Sequence, residues 1–184
     1  MAKRKEITEG DITAYLYELR RKDPKFKLKY GRPWWLIAGF KLLFWKKLED
    51  WLLFTTTICS TIYVSSRWNE FPPAQKLCIL RHEYIHIKQF QKYTFPLMVL
   101  LYLLLPFPVI FALGRALLER EAYNETIKAR VEYYGATPEI RDSTKELYIS
   151  VLTGPSYGWA FPFKSIVRKW FEKAWIEACH NPSS

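Results

Sequence analysis

The stretch Arg81-His82-Glu83-Tyr84-Ile85-His86-Ile87-Lys88-Gln89-Phe90 decides how the chain is read. Leu77, Leu80, Tyr84 and Ile87 recur at helical spacing, which predicts a helix that buries this stripe. His82 and His86 stand four residues apart, so on a helix one imidazole lies above the other and both can reach a single ion. They fall away from the apolar stripe, beside Ile79 and Phe90, on a face where a site can open. Glu83 is one position round from His82, within reach of a water on that ion. The competing account is two histidines brought together by chance on a helix with an ordinary glutamate. Against it, the chain has only three histidines and two of them are here.

Two neutral imidazoles with a carboxylate just outside them make the H-E-x-x-H arrangement of a zinc hydrolase, in which the carboxylate takes a proton from an activated water. Catalytic zinc needs a third protein ligand, and the run Leu117-Leu118-Glu119-Arg120-Glu121-Ala122-Tyr123 offers one. H-E-x-x-H followed by a distal E-x-x-A, here Glu119 to Ala122, resembles the gluzincin zinc metallopeptidases. The resemblance spans residues 55 to 125 and implies Glu119 as third ligand, with small Ala122 letting the two helices approach. It departs from the pattern at Tyr123, where some gluzincins carry an acid. Taking Glu121 as the ligand would put Glu125 in that place, so Glu121 is the rival.

At 184 residues the length predicts a single domain over 1–184, with a basic, aromatic-rich helical region to residue 50 and a helical region over 136–184, and the resemblance implies a zincin core over 51–135 between them. Aromatics make up 17% of the chain and the formal net charge is +10, so the surface is cationic. Cys59, Cys78 and Cys179 lack the spacing of metal ligands, and buried reduced thiols in a cytoplasmic protein are the simplest reading. Met1 to Lys5 is basic, but Glu6, Glu9 and Asp11 follow instead of an apolar core, so no secretory signal is expected.

Thr8 and Asp11 form a capping pattern, and Ile12, Tyr15, Leu16 and Leu19 a stripe, which predicts a helix from about Ile7 to Arg21 closed by Asp23-Pro24. Lys25, Lys27, Lys29 and Arg32 extend a basic run into Pro33-Trp34-Trp35 and an apolar segment carrying Lys41, Lys46 and Lys47. That mixture suits a solvated face or a membrane surface; no nucleic-acid-binding motif accompanies it, and no nucleic-acid partner is expected. Thr55 to Val64 is rich in β-branched residues and predicts a strand or a hairpin turning near Cys59-Ser60, which the resemblance would place beside the histidine helix. In the resembled families a sheet edge there receives the substrate as an added strand, a mode with a physical basis in unpaired backbone groups. Pro72-Pro73 begins the histidine helix.

Tyr93 to Gly114 has no charged residue and is long enough to be read as a membrane span. A single straight crossing of about 30 Å would leave the histidines and Glu119 on opposite sides. Pro106-Phe107-Pro108 offers the way out: a helix near 95–105, a turn, and a returning helix from about 109 to 131 that brings Glu119 back. Gly135-Ala136-Thr137-Pro138 stops that helix, Asp142 to Leu152 predicts another, and Pro162 to Ala178 a last one with Ile166, Val167, Trp170, Phe171 and Ala174 on one stripe and Trp175 beside it. Tyr157 and Tyr123 are candidate donors to a tetrahedral intermediate, and His180 reads as a surface histidine.

The expectation is therefore an α+β, mostly helical, zincin-like fold with a small hairpin or sheet beside the active-site helix. It would bind Zn2+ through His82, His86 and Glu119 and hydrolyse a peptide or protein substrate with Glu83 as general base. An inactive zinc-binding interaction protein and a membrane-associated protein with no metal site are the alternatives.

Overall fold

The structure is a computed structural model that describes residues 6–34, 37–38, 53–103, 110–154 and 163–180. It is mostly helical with one small mixed sheet, an α+β arrangement. The tryptophan-rich basic segment around Trp35 to Lys47, the Pro106–Pro108 turn and the Tyr157 loop lie outside the described residues. Two compact units emerge, Ile7–Ile87 and Lys88–Ser184 together with Met1–Glu6.

The first unit opens with α1 (Glu9–Lys22), whose N-cap is Thr8 as its sequence predicts. The Asp11 carboxylate accepts from the Thr8 backbone N–H at 2.9 Å and from its hydroxyl at 2.8 Å, which fixes the first turn. Ile12 and Leu19 are its buried residues, and Tyr15 and Leu16 are half-buried. Strand β1 (Lys27–Tyr30) follows, a strand the basic run concealed, because a short K-L-K-Y alternation is overwhelmed by its charges. The expected hairpin is β2 (Thr56–Ile58) and β3 (Thr61–Val64), antiparallel, with Cys59 and Ser60 between them and Cys59 in the left-handed region at φ 52°. β1 pairs parallel with β3, so the order is β1-β3-β2 and β3 is the middle strand, where Ile62, Tyr63 and Val64 are all buried. Gly31, at φ 74°, turns the chain out of β1 where a side chain would be strained.

A 3₁₀ turn at Trp68–Glu70 leads into α2 (Pro73–Lys92), whose first residue is proline, where the absent N–H is no loss. The predicted stripe is buried at Leu77, Leu80 and Ile87, with Tyr84 half-buried. Burial does not stop there. Lys76, Cys78, His82, Glu83, Ile85, His86 and Gln89 are buried as well, so α2 is enclosed round most of its circumference. Lys76 carries its charge inward by pairing with Glu9 at 2.6 Å. Cys78 is the only buried thiol; Cys59 and Cys179 are exposed, against the expectation that all three are buried.

The second unit holds the carboxyl-terminal turn of α2, then α3 (Phe95–Leu103), α4 (Ile110–Tyr134), α5 (Pro138–Thr153) and α6 (Lys164–His180). Helices α3 and α4 pack together where Leu101, late in α3, meets Gly114, early in α4. A methyl group added at Gly114 would stand 2.6 Å from Leu101 Cδ2, so glycine permits this close approach. Among the described residues no helix is long and apolar enough to cross a membrane. Gly135, at φ 83°, ends α4 with its N–H on Val131 O at 2.8 Å. Helix α5 begins earlier than expected, because Thr137 serves as N-cap with Pro138 at the first helical position; the same residues that stop one helix start the next. Helices α4, α5 and α6 bury one core around Ile127, Tyr148, Leu152, Val167, Phe171 and Trp175. Tyr148 meets Phe171 edge-on at 5.8 Å, and Phe171 stacks on Trp175 at 5.8 Å. Ile166, expected on the core stripe, is 40% exposed, while Ala178 further along α6 is buried with the core.

Candidate metal centre

On α2, the four-residue spacing puts the two imidazoles one turn apart, with ring centroids 5.0 Å apart and planes at 76°. Their Nε2 atoms approach to 3.2 Å. Two nitrogen ligands held about 2.0–2.1 Å from one tetrahedral ion stand about 3.3 Å apart, so the imidazoles already have the spacing of a shared ion. One ligand atom from each of His82, His86 and Glu119 lies within 4.8 Å of the other two, and all three residues are buried. Two imidazoles and a carboxylate are a donor set that a borderline-soft divalent cation takes, and the three residues present fit such an ion.

What fixes Glu119 can be read from the last turns of α2. Gln89 lies seven residues after His82, on the histidine side of the helix, and is 2% exposed. Its Nε2 donates to Leu118 O at 3.0 Å and to Glu121 Oε2 at 2.9 Å. One amide thus grips α4 on either side of Glu119. Glu121, the rival ligand, is outside the three-residue cluster and receives this hydrogen bond instead. Ala122 is fully buried.

Glu83 is 6% exposed and is held from the sheet: Thr57 Oγ1 on β2 donates to Glu83 Oε2 at 2.6 Å. The short charge-assisted contact fixes the carboxylate's rotamer. Arg32, just past β1, donates to Phe54 O and to Thr56 Oγ1, the latter at 3.2 Å, which ties the approach to β2. Burial lowers the Arg32 guanidinium below its ordinary range while the Glu83 charge pulls it back up, so the two groups feel each other.

Of the residues singled out from the sequence, His82, His86 and Glu119 come together, and Glu83 adjoins His82 in sequence on the same helix. Tyr123 is half-buried and packs edge-on against Tyr148 of the core at 6.0 Å. His180 is exposed at the end of α6, its Nδ1 2.8 Å from Ile176 O. Thr57, Gln89 and Arg32 were not singled out. Gln89 carried a signal, its place on the histidine face; Thr57 reaches Glu83 from a strand 26 residues earlier and Arg32 bonds to Phe54 and Thr56 far along the chain, and such distant pairings leave no local trace.

Comparison with protein-family models, with curated proteins and with solved structures returns no match.

Proposed function

We propose that the chain is a zinc-dependent hydrolase of the metallopeptidase type, cleaving peptide bonds with Glu83 as general base. The observation that carries this reading is the convergence of His82, His86 and Glu119 to within 4.8 Å beside a buried Glu83. His82, His86 and Glu119 would hold the ion. Zinc, when bound, supplies Lewis acidity that polarises a carbonyl and makes water a competent nucleophile near neutral pH. Glu83 accepts the proton of the attacking water and hands it to the leaving amine. Thr57 engages Oε2 of that carboxylate, so proton transfer falls to Oε1. Among the described residues strand β2 is an outer strand of the sheet and carries Thr57, so an extended peptide adding along it would run past Glu83.

The test is Glu83→Gln, with zinc measured by elemental analysis and turnover measured on a peptide library. Stoichiometric zinc with cleavage reduced about 10²- to 10⁴-fold is the expected result. Zinc retained by wild type with no cleavage of any peptide would make the protein a metal-stabilised binding module, and absence of stoichiometric zinc would remove the hydrolase reading.

A further inference from the structure

We propose that the corner where α2 gives way to α3 docks on an anionic lipid surface. From Gln91 to Leu97 no residue is buried, and the run includes Phe95 at 53% exposure and Leu97 at 39%. Isolated exposed apolar residues are ordinary, but here an exposed aromatic and an exposed leucine stand at the first turn of a helix with the composition FPLMVLLYL. Phe95 stacks on Phe90 at 6.3 Å, which holds its ring in place while leaving half of it in water. Exposed Lys88 and Lys92 flank it on the last turn of α2, and Lys92 Nζ sits 5.2 Å from the Tyr93 ring centroid.

Charge selects the partner. From Tyr84 to Leu118 the chain has no Asp or Glu, and its charged residues there are Lys88, Lys92 and Arg115. An exposed apolar corner whose own charged side chains, Lys88 and Lys92, are both cationic suits acyl chains beneath anionic headgroups, the lysine stems lying along the apolar layer with their ammonium groups at the phosphates. Among the described residues no helix is long and apolar enough to cross a membrane, and the mode proposed is docking from one side. The proposal makes no use of the metal centre.

The experiment is cosedimentation of the full chain with phosphatidylcholine vesicles and with vesicles in which phosphatidylserine is mixed in. Binding is expected to the anionic vesicles and to weaken as salt is raised. Lys88→Gln with Lys92→Gln should lower the partition by about fivefold per lysine, and Phe95→Ser with Leu97→Ser by about tenfold. Circular dichroism checks that each variant is folded, and the lysine pair keeps the test decisive if losing the ring stack unsettles the corner. No vesicle-bound fraction, equal binding to both compositions, or binding that both variant pairs leave unchanged would overturn the proposal. So would a wild-type oligomer that Phe95→Ser dissociates in lipid-free buffer, since the patch would then belong to a second copy of the chain.

Discussion

A hydroxyl and an amide set the terms for the ionisable residues of the centre. Thr57 Oγ1 at 2.6 Å holds Glu83 by a hydrogen bond to a carboxylate, a type worth about 1.5–3 kcal/mol. Thr57→Val keeps shape and strand propensity but removes the donor, so turnover should fall about tenfold or more with zinc content unchanged, while Thr57→Ser should restore most of it. Equal rates for the two variants would show that the contact does not orient the base. Gln89 makes a second test. Gln89→Leu leaves the three candidate ligands intact but frees the segment around Glu119, so zinc affinity measured by competition with a chelator should drop about 10- to 100-fold. Glu119→Ala should abolish stoichiometric binding, and Glu121→Ala should resemble the glutamine variant. If Glu121→Ala loses all the metal and Glu119→Ala none, the ligand has been misassigned.

At the scale of elements, α5 and α6 are joined across their surface by Glu172, which accepts from Arg141 at 2.6 Å and from Lys145 at 2.8 Å. The Lys145 hydrogen bond first, then Arg141, hold the Glu172 carboxyl below its ordinary range. A depressed carboxylate contributes stability that is present above its unfolded-state pKa and is lost as pH falls through the lower folded value. Thermal melts should therefore show a drop in stability below the usual glutamate range, and Glu172→Gln should flatten that part of the profile. Because both partners are partly exposed, the effect should shrink in high salt. An unchanged acid limb in the glutamine variant would mean the bridge contributes nothing to holding the two helices.

For the whole molecule, the ionisable groups of the centre are all buried, and metal removal should be felt globally. Stripping the protein with a chelator should lower its melting temperature, and zinc added back should restore it in a concentration-dependent way, with no such response in Glu119→Ala. A melting temperature indifferent to zinc would leave the cluster without a metal role. Much of this architecture was legible in the residues. The helical spacing around H-E-x-x-H, the β-branched run, the Thr8 cap and the helices expected before and after Pro106-Phe107-Pro108 are local signals, and the described elements stand where they pointed. Strand β1 was hidden because charge on an exposed outer strand masks its alternation, and Ile166 misled because a helical stripe does not say which of its flanks meets a neighbour. The clamp on Glu83 could not be read at all: it joins residues 57 and 83 through the sheet.

Among the described residues, the two outer strands of the sheet differ in their defences. β1 displays Lys27 and Lys29, whose charges discourage stacking of one molecule on the next, whereas β2 reads Thr-Thr-Ile with no charge to do so. In concentrated solution this uncharged border is where copies would zip together into growing aggregates, and a lysine grafted at Ile58, which leaves the Arg32–Thr56 hydrogen bond in place, is the natural remedy for anyone preparing the protein at high concentration.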